Sequence, residues 1–214
     1  MLTNRHMALT RIWHHPEPFH TEFAEISLEH DALHARGIAI GADPARYRLE
    51  YELSTAHGYL TQRLDVMSQG AGWQRRLVLE RSTAGEWSCT TEAHGNLDLP
   101  SPGGDLQALA GALDCDLGLS PLTNSMPLLR HQLHQQAGSV DFLMAWVAVP
   151  ELTVHPSRQR YTHLRRTQEG AVVRFQGLDS DFTAEITFDE HGLVLDYPGI
   201  GRAVRTPDQH EGAN

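Results

Sequence analysis

Between Ile12 and Glu92 apolar and polar side chains mostly alternate, and short polar or glycine-bearing breaks divide the alternation into segments. A period of two sends successive side chains to opposite faces of a strand, so the pattern predicts an antiparallel meander with one buried and one solvated face. In TEFAEISLEH, Glu22, Ala24, Ile26 and Leu28 fall on one side, and Phe23, Glu25, Ser27 and Glu29 on the other. The His30-Asp31 break and the run from Leu33 to Ile40 complete a hairpin. In ARYRLEYEL, Tyr47, Leu49, Tyr51 and Leu53 alternate with Arg46, Arg48, Glu50 and Glu52. YLTQRLDVMS, WQRRLVLERS and EWSCTTEAH read as further strands, with turns at QGAG and TAGE.

PSPGG at 100–104 ends this meander. Strand patterns resume in VDFLMAWVAV, QRYTHLRR, AVVRFQG, FTAEITF and LVLDYP, with turns at Gln168 to Gly170 and Asp189 to Gly192. A single helix fits between the halves. Proline is tolerated only in a first helical turn, so Pro127 puts the start at Asn124 or Ser125, both good N-caps. Leu128, Leu129 and Leu133 then share a face, and Gly138 stops a helix running from Met126 to Ala137. The predicted fold is mainly β: two meanders around one short helix, as a single domain over 11–205. A flexible N-terminus over 1–10 and a disordered polar tail over 206–214 flank it.

The chain has 214 residues, 27 acidic against 17 basic, and a net charge of -10. That balance argues against nucleic acid or an anionic membrane surface as partner. Every basic residue is arginine. The missing lysine closes Schiff-base chemistry, pyridoxal phosphate anchoring and the P-loop. No apolar run reaches transmembrane length and no signal-peptide pattern opens the chain, so a cytoplasmic address is expected. Cys89 and Cys115 are expected to be reduced thiols.

The segment DCDLGLSPLTNSMPLLRH at 114–131 carries the densest polar chemistry. On a strand, Asp114 and Asp116 share a side, about 7 Å apart at the backbone. They suit an acid-base pair, a cation site or a plain solvated face. Ser120, Thr123 and Asn124 would bring hydroxyls and an amide beside them, although helix capping explains part of that set. Trp13, Trp73, Trp87, Trp146, Tyr161 and Tyr197 suit either a core or the lining of a curved sheet. His131 and His134 have no glutamate between them of the metallopeptidase kind, and neither a metal nor a cofactor is expected.

The run DCDLGLSPLTNSMPLLR resembles the D-x-D-L-G-x-S-P-x-T-N-x-x-P signature of a bacterial family described as "putative glycolipid-binding". AWVAVP at 145–150, QRY at 159–161 and GLVLDYPG at 192–199 continue the likeness, as do Trp13 and the RYRLEYEL and WQRRLVLERS strands. The resemblance implies a curved, spiral β-roll, similar in architecture to lipid and lipoprotein carriers, that holds a glycolipid or other amphiphile in its concave face. Where relatives usually carry an arginine pair after the proline, this chain has Leu129 and Arg130, and His131 replaces an apolar residue. Arg130 alone would then meet an anionic head group. The expected ligand-binding residues are Asp116, Ser120, Thr123, Asn124, Arg130, Gln159, Tyr161, Asp196 and Tyr197. Two alternatives stand beside this: a hydrolase of a sugar or lipid ester working through Asp114 and Asp116, and a ligand-free interaction domain in which the motif is a structural clasp.

Overall fold

The structure, a computed structural model, describes residues 6–96 and 98–205. The first meander comprises β1 (Met7–His15), β2 (His20–Leu28), β3 (Leu33–Gly41), β4 (Tyr47–Ala56), β5 (Leu60–Gly70), β6 (Trp73–Arg81) and β7 (Trp87–Gly95). After a long connection come β8 (Asp114–Leu117), a 3-10 turn at Pro121–Asn124 and α1 (Ser125–Arg130). The second meander is β9 (Ser139–Val147), β10 (Val154–Arg166), β11 (Gly170–Gly177), β12 (Thr183–Asp189), β13 (Val194–Tyr197) and β14 (Gly201–Ala203).

All of these strands form one 14-stranded curved sheet in the order β7-β6-β5-β4-β3-β2-β1-β14-β13-β12-β11-β10-β9-β8. Pairing is antiparallel throughout except between β8 and β9. The chain enters at mid-sheet, walks to the β7 edge, crosses to the opposite edge at β8, and walks back until β14 pairs with β1 through Trp13–Ala203 and His14–Arg202. Curvature makes the crossing possible by bringing the edges together. Leu113, just before β8, accepts from the backbone N–H of Thr61 in β5 at 3.2 Å, and Gly103 bridges to Thr153 beside β10.

The inner faces carry the core. Leu49, Leu53, Leu64, Leu77 and Leu79 pack with Trp13, Cys115, Leu122, Met126 and Leu129, while Leu128 and Leu133 pack with Tyr161, Val173, Ile186 and Phe188. Adjacent leucines at the centre of the fold therefore serve different cores. The outer face is laced with exposed pairs such as Arg36–Glu52 and Arg160–Asp141, which favour solubility more than stability.

Three expectations change. Strand β1 begins at Met7, so residues 7–10 of the terminus expected to be flexible are paired with β2; the expected tail over 206–214 lies outside the described residues. Strand β14 has only three residues and gives no alternation to read. The helix ends at Arg130, because Gln132 takes a positive φ of 52° and the chain turns away. Asn124 makes no side-chain cap.

Candidate functional site

Strand β8 is buried at every position. Its pairing with β9 leaves the N–H groups of Cys115 and Leu117 facing away from the sheet, and a buried unpaired N–H is costly. Threonine hydroxyls take both: Thr61 accepts from Cys115 at 2.9 Å, and Thr123 accepts from Leu117 at 3.2 Å. The same Thr123 hydroxyl lies 2.9 Å from Asp116 Oδ1. Gln159 Nε2 donates to Asp116 Oδ2 at 2.7 Å, and the Tyr161 hydroxyl donates to Asn124 Oδ1 at 2.7 Å. Five residues of the motif and β10 thus form one buried hydrogen-bonded chain. Burial pushes the Asp116 carboxyl above its usual range, and the bonds from Gln159 and Thr123 oppose the shift.

Asp114 turns to a different partner. It sits fully buried in a paired contact with both terminal nitrogens of Arg130, whose guanidinium also lies 5.8 Å from the Phe142 ring centroid. The acid pair is therefore split between two networks.

A cavity of about 270 Å³ opens at the end of the inner face, and Asp116, Ser120, Asn124, Gln159 and Tyr197 line it. Trp146, Phe175, Phe182 and Ile200 supply an apolar wall, with Ser157 and Ser180 at the polar side. The remaining expected residues lie elsewhere. Thr123 and Tyr161 are fully buried behind this wall, Arg130 is committed to Asp114, and Asp196 pairs with Arg202. The inner face is not the open concave groove expected, because β8, α1 and its own side chains fill the rest. Among the aromatics, Trp13, Trp73, Trp87, Tyr161 and Tyr197 are buried, whereas Trp146 is 37% exposed.

Sequence reasoning missed a second polar cluster behind Ser120. Glu22 on β2 is fully buried; the Tyr51 hydroxyl donates to its Oε1 at 2.5 Å and the Ser120 hydroxyl at 2.9 Å, while Oε2 has no partner. Burial pushes the Glu22 pKa up to about 7, against those two hydrogen bonds. Tyr51 reaches Glu22 across β3 because Gly37 lies beneath its ring, where a Cβ would come within 2.2 Å. Gly41 does the same for Tyr47, whose hydroxyl lies 3.1 Å from His20 Nδ1. A signal existed: Glu22 shares the face of Ala24, Ile26 and Leu28, a polar residue in an apolar phase.

The family model described as "putative glycolipid-binding" matches residues 10–203. The chain belongs to this family. Among solved structures, the crystal structure of a DUF1089 family protein from Pseudomonas aeruginosa is similar, with a TM-score of 0.63 and 27% identity over 85% of this chain and 91% of that one. No curated protein matches. Within the family frame, no helix among the described residues is long and apolar enough to cross a membrane.

Proposed function

We propose that this family member binds an amphiphile, such as a glycolipid, whose polar head enters the cavity formed by Asp116, Ser120, Asn124, Gln159 and Tyr197. The observation that carries the reading is this convergence of acid, amide and hydroxyl groups against an aromatic wall. Carboxylate and amide oxygens accept from sugar hydroxyls, and aromatic faces cover the apolar side of a sugar ring. Phe19, Trp146 and Phe182 are among the few large apolar residues left exposed, at 43%, 37% and 42%. Trp146 and Phe182 wall this cavity, and Phe19 lines the adjoining one, which gives an acyl chain a path along the rim rather than through the filled interior. Asp114 is absent from the cavity wall and held by Arg130, so nothing favours a two-carboxylate hydrolase.

Native mass spectrometry of gently purified protein, followed by solvent extraction, tests the reading. A co-purified amphiphile near stoichiometry is expected, and Ser180→Trp, which fills the cavity mouth from an exposed position, should abolish its retention without lowering Tm. Bare protein that also fails to bind a glycolipid and phospholipid panel sinks the reading. The motif would then be read as a structural clasp, a role its Thr123 and Asn124 contacts favour.

A further inference from the structure

A second cavity, of about 310 Å³, meets the first along Gly118, Leu119, Trp146 and Ile200. Beyond these shared residues, the β1–β2 turn brings Phe19 and the start of β2 His20, the β3–β4 turn Asp43 and the start of β4 Tyr47, and the β9–β10 turn Glu151. Its chemistry differs from that of its neighbour. Two carboxylates line it, and no arginine does among the described residues, although the chain has 17. Arg75 is not part of the lining, but its guanidinium donates to the Glu151 backbone oxygen at 3.1 Å and feels the Glu151 carboxylate.

Two buried polar atoms of the lining residues have no hydrogen-bond partner. His20 is 4% exposed, and with Nδ1 beside the Tyr47 hydroxyl its Nε2 is left unmatched. Glu151 Oε2 is the other. Unpaired buried polar groups are rare in folded proteins because each costs its desolvation, so two in one cavity point to an occupant that satisfies them. Burial pulls the His20 pKa down to about 4, which leaves the ring neutral at neutral pH. The neutral ring has two tautomers: with Nδ1–H donating to the Tyr47 hydroxyl, Nε2 offers a lone pair, and with Nδ1 accepting from that hydroxyl, the ring N–H is left for the Leu119 backbone. An occupant that donates hydrogen bonds selects the first tautomer, and it suits two carboxylates and aromatic walls. A metal ion does not fit, since no group of three His, Cys, Asp or Glu among the described residues is placed to hold one.

We propose that this second cavity binds a primary alkylammonium group, with Asp43 and Glu151 balancing its charge, His20 Nε2 accepting one N–H, and Phe19, Tyr47 and Trp146 walling the alkyl end. Cations gain from aromatic faces as well as from carboxylates, so the wall adds to the recognition. The proposal does not depend on a sugar in the first cavity.

The test is titration of the full chain with methylammonium chloride, followed by the Trp146 indole N–H resonance and by calorimetry, with sodium chloride as the ionic-strength control. Saturable binding is expected, weakened by at least about tenfold in Asp43→Asn/Glu151→Gln, a loss of more than about 1.4 kcal/mol. Thermal melting reports whether that variant remains folded. His20→Phe keeps the ring volume and should weaken methylammonium while leaving tetramethylammonium, which has no N–H, unaffected. Tighter binding of hexylammonium than methylammonium would mean that the group arrives on an amphiphile. Equal binding would mean a soluble amine, and either supports the site. Absence of saturable binding, or unchanged affinity in the folded double variant, overturns it. Glycolipid binding is read separately, so the two ideas fail independently.

Discussion

Glu22 and His20 are two residues apart on β2, share its inner face, and shift in opposite senses. A carboxyl raised to about 7 in the fold contributes stability that is complete below its ordinary value of 4.5 and is lost as pH rises through 7. An imidazole lowered from 6.5 to about 4 contributes stability that is complete above 6.5 and is lost as pH falls through 4. The two slopes oppose each other between about pH 4.5 and 6.5. Glu22→Gln keeps an acceptor for Tyr51 and Ser120 but removes the buried charge. Its unfolding free energy in urea titrations should therefore rise relative to the parent above pH 7, by roughly 1–3 kcal/mol, and should fall with acidification from pH 6.5 to 4. A parent-like loss between pH 5 and 8 would mean that Glu22 stays ionised.

Gly37 tests the same site through shape. The methyl of Gly37→Ala meets the Tyr51 ring, and the displaced hydroxyl leaves Glu22 with one donor fewer. A loss of about 1–3 kcal/mol is expected from overpacking alone, measured by denaturant unfolding. The double variant Gly37→Ala/Tyr51→Leu should lose less than the two single variants added together, because the clash exists only with the ring. These residues were legible only in part. Alternation marks Glu22 as a polar residue on an apolar face, but nothing local says that Gly37 and Gly41 clear a path for rings from the next strand.

Strand β8 shows at the scale of an element how a short edge strand is held. The amides on its unpaired edge are closed by Thr61 and Thr123 rather than by a further strand. Thr61→Val keeps the shape, leaves the Cys115 N–H buried without an acceptor, and should cost about 1–3 kcal/mol. Removing one half of the Asp114–Arg130 pair is harsher: Arg130→Met strands a fully buried carboxylate and should cost about 3–5 kcal/mol, while Asp114→Leu/Arg130→Met should recover much of the loss. Chemical denaturation of the three variants checks the order. The spacing put both acids on one side if the segment was a strand, yet it could not say that they part company. That depends on Arg130, which lies beyond the 3-10 turn. The helix was overread for a related reason. Leu133 completes an apolar face in sequence, but it reaches its core through a turn containing Gln132 at positive φ rather than through a further helical turn.

For the whole molecule, the neighbours Leu128 and Leu129 tie the two cores into one mechanical unit. Tryptophan fluorescence, dominated by the first core through Trp13, Trp73 and Trp87, and far-UV circular dichroism should report the same urea midpoint. Separate transitions would mean that the meanders unfold independently. Alternation revealed nearly every long strand and the mainly β class. Strand order was not legible, because it follows from the crossing between edges, a contact between segments remote in the chain. The family resemblance, carried by the motif, supplied the curved roll that local pattern could not.

The strand order has a further consequence. Read across the sheet, the numbers run 7 to 1 and then 14 to 8, which is a cyclic sequence cut once, at the β1–β14 seam. The backbone beyond β14 is still bonded alongside β1, with Val204 N–H donating to Ile12 at 2.7 Å, so Arg205 lies only about 13 Å along that strand from Met7. Joining these ends by a short flexible linker and reopening the chain at the exposed Thr83–Gly85 turn would move the seam to a hairpin without changing any neighbour in the sheet. The covalent order of this molecule is one of several that the same architecture accepts.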